Sequence, residues 1–379
     1  ADTGIHFGTD TAAITTGGTD RVSIDSTGAA TFSGNVSAVD GTLTGALAVT
    51  GDARMASLNN GQLAGRRNYV DNGAFQIFQR GPSGSNNVNF NGRPRTADRW
   101  TMRGHTDVGA VINWEIADGG TGRARSTICD KTVADAFRFE FPNAVTGSWG
   151  ILQFLEPTTF KKFNGKTLTL SFVSSVNHSD WSIYIQSSGD GAHFFSLNST
   201  SVNPYGSTGF VVSGSVTIPD GTFNDADGLT SLYFYNTADM SVGDSVDVSL
   251  IQLEEGPVAT PYEIRTYADD LAHCQRYLYH IDAPEIYTRF GLGLANGTTS
   301  CQAIIHFPVT MRIRPSSFEA ASSGLYQASN GSVGFTGTDL TMTGNVRCAN
   351  SAVISLTTSG LNVNHSYFIE ANGNVAGTK

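Results

Sequence analysis

Short runs of alternating apolar and polar residues recur along the middle of the chain, between residues 65 and 265. Alternation with a period of two places the apolar side chains on one face of a β-strand. Turn-prone clusters such as Asn164-Gly165 and Asp220-Gly221 separate the runs. The pattern therefore predicts an antiparallel sandwich built from strands at 111–116, 136–141, 149–155, 167–173, 181–186, 209–218, 230–235 and 245–253.

Residues 1–64 carry a sparser version of the same alternation, punctuated by glycine. Val22 and Ile24, and then Leu47 and Val49, lie two positions apart. Such thin apolar stripes cannot bury enough surface in one chain to offset the entropy of ordering it. We interpret this region as a Gly-rich β shaft in which three copies of the chain share one core. The alternative is a flexible Gly/Ser/Thr-rich linker.

The last region, residues 266–379, begins with a helix and continues with strands. Thr266 is a candidate N-cap for a helix over 266–278, with Asp269 three residues further on. Asn296-Gly297 between two alternating runs indicates a β-hairpin. The pattern predicts a small C-terminal β domain with strands at 290–295, 299–307, 309–314, 317–321, 332–336, 352–357 and 367–370.

Composition limits the classes of partner. At 379 residues the chain is long enough for two or three domains, and 10% aromatic residues are enough for a sizeable core. The net charge is −10, and no cluster rich in lysine and arginine stands out, so no nucleic-acid partner is expected. No run of eighteen apolar residues occurs, so no membrane insertion is expected.

Residues that could bind a metal or a cofactor are scattered. The eight histidines form no HxH or HExxH motif, and the glycines follow no phosphate-binding pattern. We expect no cofactor and no metal site. Four well-separated cysteines are interpreted as buried small hydrophobic residues: Cys129, Cys274, Cys301 and Cys348.

Paired carboxylates are the usual machinery for cleaving polysaccharides. Acidic pairs occur at Glu254-Glu255, at Asp269-Asp270, and at Glu140 with Glu156. Neighbouring residues on a strand point to opposite faces, and acidic residues in the first helical turn favour the helix dipole. We therefore expect no catalytic residue and no enzymatic activity.

Two of the predicted strands offer a candidate sugar-binding surface. Trp181, Ile183 and Ile185 share one face of strand 181–186, so the opposite face carries Tyr184 and Gln186. Aromatic faces stack on sugar rings while amides and hydroxyls bond to the sugar hydroxyls. The candidate ligand-binding residues are Tyr184, Gln186, Tyr233 and Tyr235. The alternative is that they pack beneath a loop or a neighbouring subunit.

Two pairs of segments bracket the predicted sandwich. The first pair reads NYVDNGAFQIFQRG at 68–81 and TADRW at 96–100, and the second reads IQLEEGPVATPYE at 251–263 and DDLAHCQRY at 269–277. Together they resemble the opening and closing signatures of a carbohydrate-binding-like jelly roll found in bacteriophage tail fibre and prophage tail proteins.

The resemblance implies a jelly roll over 65–265 with its first and last strands side by side, and a tip domain over 266–379. It also implies a homotrimer whose N-terminal side joins tail or baseplate proteins. A calcium ion often sits near the opening and closing strands of such jelly rolls. Asp71 and Asp247 are suitably placed, but they form an incomplete ligand set.

The function implied is attachment to host surface glycan by a virion protein that is assembled in the host cytoplasm and acts extracellularly. The chain begins within a repeat-like pattern, so we expect it to be the distal part of a longer polypeptide. The alternatives are a glycan depolymerase or esterase with an inter-subunit site, and a purely structural fibre spacer.

Overall fold

The computed structural model describes residues 3–33, 66–87, 95–104, 111–120, 122–187, 191–223, 230–281, 283, 285–320 and 324–372. The chain divides into two compact units, Ala1–Met55 and Ala56–Lys379. In both units nearly all of the regular structure that is described is antiparallel strand, so the predicted all-β class is confirmed.

The described part of the first unit is a four-stranded antiparallel meander in sequential order. Its strands are β1 (Gly4–Gly8), β2 (Thr11–Thr16), β3 (Thr19–Ile24) and β4 (Ala30–Phe32). The predicted alternation around Val22 and Ile24 falls on β3. The alternation around Leu47 and Val49 lies outside the described residues.

Two neighbouring rows on one face of this meander are wholly apolar. Cross-strand pairing aligns Ile5, Ile14, Val22 and Phe32 in one row. A second row on the same face contains Phe7, Ala12, Ile24 and Ala30. Phe7 is 81% exposed and Ile5 is 64% exposed, so no part of residues 3–33 covers these rows.

The second unit begins with a two-sheet sandwich. One sheet has seven strands in the order β13-β14-β10-β16-β8-β7-β5, and the other has five in the order β12-β11-β15-β9-β6. Their bounds are β5 Ser83–Asn87, β6 Trp100–Gly104, β7 Val111–Ile116, β8 Phe137–Glu140, β9 Trp149–Leu155, β10 Thr167–Ser174, β11 Trp181–Ser187, β12 His193–Phe194, β13 Ser196–Thr200, β14 Phe210–Thr217, β15 Thr230–Asn236 and β16 Ser245–Glu255.

The core of the sandwich lies between these two sheets, because alternate residues of each strand point inward. Aromatic rings dominate it, and several meet edge to face. The ring centroids of Phe139 and Trp149 are 4.8 Å apart, and those of Phe172 and Phe234 are 5.5 Å apart. Burial of many large rings in one cluster supplies most of the hydrophobic stabilisation of this region.

Strand β16 contains an irregularity that the alternation does not reveal. Leu250 has a φ of 55°, and the pairing of β10 with β16 shifts register at this point. Val246 and Val248 face the core before the shift, and Ile251 and Leu253 face it afterwards. The extra residue therefore moves the inward positions from even to odd numbers.

The opening segment does not pair with β16 as a regular strand. Residues 68–73 run beside β16, where the Tyr69 amide donates to the Leu253 carbonyl and the Ile251 amide donates to the Gly73 carbonyl. The first true strand of the sandwich, β5, lies at the far edge of the seven-stranded sheet. The expectation that the first and last strands are neighbours is therefore wrong. The opening signature instead meets the closing strand β16 through residues 68–73, which form a loop.

A seven-stranded sheet in the order β20-β19-β23-β17-β18-β22-β21 follows the sandwich. The strands of this sheet are β17 Arg289–Ala295, β18 Ser300–His306, β19 Tyr326–Ser329, β20 Gly334–Thr336, β21 Asp339–Arg347, β22 Ser351–Thr357 and β23 Ser366–Ala371. The described residues of the second unit also form two α-helices, α1 (Pro157–Phe160) and α2 (Tyr267–Gln275). Thr266 caps α2 as predicted, because its side chain accepts from the Asp269 amide.

Two predicted strands of the C-terminal region are wrong. Residues 309–314 and 317–320 form no strand. The Met311 amide donates to the Ala349 carbonyl and the Arg312 amide to the Arg276 carbonyl, so successive residues bond to different neighbours instead of to one ladder. Pro308 and Pro315 bracket the first segment and lack amide donors.

The cysteine expectation holds for three of the four residues. Cys129, Cys274 and Cys301 are buried, and Cys348 is exposed. Cys348 lies in the tight turn between β21 and β22, where its amide donates to the Ser351 carbonyl. A turn of this kind leaves the side chain in solvent, so Cys348 is not a core residue.

Candidate functional site

The outward face of the five-stranded sheet contains the predicted tyrosines. Along β11, Trp181, Ile183 and Ile185 are buried in the core. The intervening residues therefore point away from the core. Tyr184 lies directly opposite Tyr233 on the neighbouring strand β15. Tyr235 is two residues further along β15 and shares the outward face.

The three tyrosine rings form a continuous cluster. The ring centroids of Tyr184 and Tyr233 are 4.7 Å apart with planes 19° apart, a stacked arrangement. Tyr233 and Tyr235 are also stacked, with centroids 5.8 Å apart. The cross-strand register sets these contacts, because directly opposed and diagonal side chains on one sheet face lie within reach of each other. We call Tyr184, Tyr233 and Tyr235 the tyrosine platform.

The platform remains partly open to solvent. Tyr184 and Tyr233 are partly buried, and Tyr235 is 8% exposed. Burial raises the pKa of the Tyr184 hydroxyl and that of the Tyr235 hydroxyl. Both hydroxyls are therefore neutral at physiological pH and can donate to or accept from a ligand hydroxyl.

Phe194 extends the platform toward the edge of the sheet. It pairs with Tyr184 from strand β12, with ring centroids 4.9 Å apart, and it is 56% exposed. Phe194 could not be placed on this face from the sequence, because β12 is only two residues long and shows no alternation. An exposed ring that continues a stacked pair is the geometry expected of a surface that accepts planar apolar faces.

Gln186 lies in the next row of the same face, opposite Ser231. This row adds an amide and a hydroxyl beside the aromatic surface. The structure thus brings all four predicted residues onto one face of one sheet. Whether they bind a ligand stays a prediction.

Arg103 borders the platform on the other side. Its guanidinium carbon lies 5.6 Å from the centroid of the Tyr233 ring. Arg103 lies on the edge strand β6, opposite Gly150 of β9, which is itself opposite Tyr235. Trp100 and Met102 are buried in the core, so alternation along β6 places Arg103 on the outward face. No other feature of the sequence indicates this.

The acidic pairs considered for catalysis are engaged elsewhere. Glu254 accepts from the Thr260 hydroxyl at 2.6 Å, and Glu255 accepts from the Tyr69 hydroxyl at 2.7 Å, so these neighbours point in different directions. Asp269 accepts from the hydroxyl of its helix cap, Thr266. Glu156 accepts from the Tyr277 hydroxyl at 2.6 Å.

The two aspartates considered for calcium are held by arginine. Asp71 pairs with Arg99 at 3.0 Å, and Asp247 pairs with Arg138 at 2.7 Å. Burial acts to raise the pKa of Asp71, but hydrogen bonding to His273 and the charge of Arg99 outweigh it and hold the pKa at about 2. These contacts give each carboxylate a structural role that needs no cation.

The described residues contain no group of three or more His, Cys, Asp or Glu side chains placed to hold a metal ion. Over the same part of the chain, no helix has the length and apolar character needed to cross a bilayer.

No family model and no curated protein sequence matches this chain. A cyclase from Fischerella sp. is 12% identical, with a TM-score of 0.31, over 52% of this chain and 98% of that one. An arabinose-bound α-L-arabinofuranosidase is 12% identical, with a TM-score of 0.31, over 55% of this chain and 30% of that one. A family 11 carbohydrate-binding module from Clostridium thermocellum, in complex with a β-1,3-1,4-mixed-linked tetrasaccharide, is 18% identical, with a TM-score of 0.22, over 47% of this chain and 98% of that one. Similarity at this level carries no argument about function.

Proposed function

We propose that this chain is a receptor-binding protein of a bacteriophage tail fibre that attaches to host surface glycan without cleaving it. The observation that carries the binding proposal is the tyrosine platform, a stacked cluster of three rings of which Tyr184 and Tyr233 are partly exposed. The assignment to a tail fibre rests on the signature segments at 68–100 and 251–277.

The platform has the two features that a sugar site needs. Ring faces stack on the apolar faces of pyranose rings, and nearby hydroxyls and an amide satisfy the sugar hydroxyls. Tyr184, Tyr235 and Gln186 supply those polar groups on the same face. Most of the acidic residues considered for hydrolysis lie in structural contacts, namely Glu156, Glu254, Glu255, Asp269 and Asp270, which is why binding is favoured over catalysis.

Replacing Tyr233 with alanine is expected to weaken glycan binding by at least about 2 kcal/mol, because Tyr233 is the central ring of the platform. The full chain would be screened on an array of bacterial surface polysaccharide fragments, and any hit measured by calorimetry. Tyr267→Ala is the matched control, since Tyr267 is 58% exposed at the start of α2. Equal binding by both variants would contradict the platform as the site.

A homotrimer accounts for the apolar face of the β1–β4 meander. Two rows of that face carry only apolar residues, and among residues 3–33 no second layer covers them. A second and a third copy of the same face supply a chemically matched cover. Three copies also give three sugar sites and therefore avidity for a surface glycan.

Light scattering of the full chain is expected to give about three times the chain mass of 40.1 kDa. The double variant Ile5→Ser, Phe7→Ser removes two apolar side chains from the face and is expected to lower the mass toward one chain. His6→Ser is the matched control, because His6 points to the opposite face of β1. A single-chain mass for the unmodified protein would overturn the trimer.

A further inference from the structure

Arg103 has an unusual setting among the arginines of the sandwich. It is partly buried beside the tyrosine platform, with its guanidinium 5.6 Å from the centroid of Tyr233. The residue between it and Tyr235 in the cross-strand row is Gly150, which has no side chain. Gly150 is buried, and a β-carbon at this position would overlap the backbone of β15, so no side chain of this row separates Arg103 from Tyr235.

Five other partly buried arginines contact protein carboxylates. Ion pairs of 3.0 Å or less join carboxylates to Arg99, Arg123, Arg125, Arg138 and Arg276. Within the described part of the chain, no carboxylate lies at ion-pair distance from Arg103. Its guanidinium lies over the face of the Tyr233 ring. Its N–H groups are thus available for an anion that comes from outside the chain.

The chemistry of Arg103 and its neighbours favours one kind of ligand. A guanidinium presents its donors in a planar fork that matches the two oxygens of a carboxylate. The neutral hydroxyls of Tyr184 and Tyr235 lie close enough for the charge of Arg103 to act on both. An acidic sugar bound at the platform could therefore pair its carboxylate with Arg103.

We propose that the platform selects glycans that contain hexuronic acid, with the sugar ring against the platform and its carboxylate on Arg103. This inference rests on the proposed sugar-binding function of the same site. The chain has a net charge of −10, so a general attraction for polyanions does not produce such a preference. A local contact between the carboxylate and Arg103 produces this preference.

The test compares each hexuronate oligosaccharide with its methyl ester, which keeps the sugar ring and removes only the charge. Calorimetry on the full chain is expected to show the free acid binding about tenfold or more tightly than the ester. Arg103→Gln is expected to equalise the two affinities while binding of the ester persists. Arg103→Lys is expected to retain part of the preference, because it keeps the charge and loses the fork.

Arg314→Gln is the matched control, since it removes the same charge from an exposed residue after β18. It is expected to leave the preference intact. Equal binding of acid and ester by the unmodified chain, abolished by Tyr233→Ala, would overturn the inference and leave the sugar site standing. Failure of every acidic and neutral saccharide to bind would overturn both proposals.

Discussion

Gly150→Ala is expected to destabilise the sandwich by about 3 kcal/mol or more. Gly150 lies on β9, one of the interior strands of the five-stranded sheet, and pairs with Tyr235 on one side and Arg103 on the other. A β-carbon at this position would lie 1.8 Å from the Phe234 carbonyl oxygen. That atom belongs to the backbone of β15, so no side-chain rotation relieves the overlap.

Two other glycines turn this expectation into a graded test. Gly214→Ala places a β-carbon 2.3 Å from the Ser196 carbonyl oxygen, but Ser196 belongs to the edge strand β13, which has a neighbour on one side only. An edge strand can move outward, so a smaller loss of stability is expected. Gly191→Ala meets nothing within 4 Å and is expected to be close to neutral.

Tryptophan fluorescence during denaturant unfolding is the measurement, because all four tryptophans lie in the sandwich: Trp100, Trp114, Trp149 and Trp181. The signal therefore reports on this region within the full chain. The expected order of loss is Gly150→Ala, then Gly214→Ala, then Gly191→Ala. A Gly150→Ala protein with the midpoint of the Gly191→Ala protein would show that β9 and β15 are not so closely paired.

The sandwich strands could be predicted because one face of each is buried. Strands 111–116 and 149–155 have the predicted bounds, and the bounds of β11 and β15 differ by one residue at one end. In β11 buried and partly buried residues alternate, so the apolar–polar pattern follows directly from burial. The prediction fails at 309–314, where apolar residues between prolines contact separate neighbours instead of a strand.

The candidate site was only partly predictable. Tyr184, Tyr233 and Tyr235 follow from alternation within two strands. Phe194 and Arg103 depend on which strands lie beside those two, and the sheet order β12-β11-β15-β9-β6 joins segments that are distant in the sequence. Periodicity within a strand carries no information about its neighbours. Phe194 and Arg103 could therefore be placed beside the platform only from the structure.

The signature segments were recognised from sequence, but their physical role was not. They build a buried polar network around Arg265, whose side chain is 5% exposed. Arg265 donates to the carbonyls of Asn68 and Val70 and to the carboxylate of Asp270. One guanidinium thus bonds to both the opening and the closing segments.

Arg265→Met is expected to destabilise the protein by about 3–5 kcal/mol. Methionine keeps most of the side-chain volume but leaves the carbonyls of Asn68 and Val70 without their donor. It also leaves the Asp270 carboxylate, which is 4% exposed, without its cation at 3.3 Å. A buried charge without a partner is among the costliest defects that a single substitution can create.

The loss should depend on pH in a direction that identifies its cause. Burial already raises the pKa of Asp270, and Arg265 opposes that rise. Without Arg265 the pKa of Asp270 rises further, so the folded variant binds a proton more readily than the unfolded chain does. Its stability relative to the unmodified protein therefore increases as the pH falls through the raised pKa. The second substitution Asp270→Asn is expected to recover part of the loss at neutral pH.

Unfolding midpoints followed by tryptophan fluorescence at several pH values check both expectations. Lys166→Met is the matched control, because it removes one positive charge from a pair with Glu255 at 3.6 Å in which the lysine is 52% exposed. That change should cost about 1 kcal/mol or less at any pH. If Arg265→Met costs no more than Lys166→Met, or if Asp270→Asn recovers nothing, the guanidinium does not hold the two segments together. A large, pH-dependent loss that Asp270→Asn relieves would identify Arg265 as the residue that joins them.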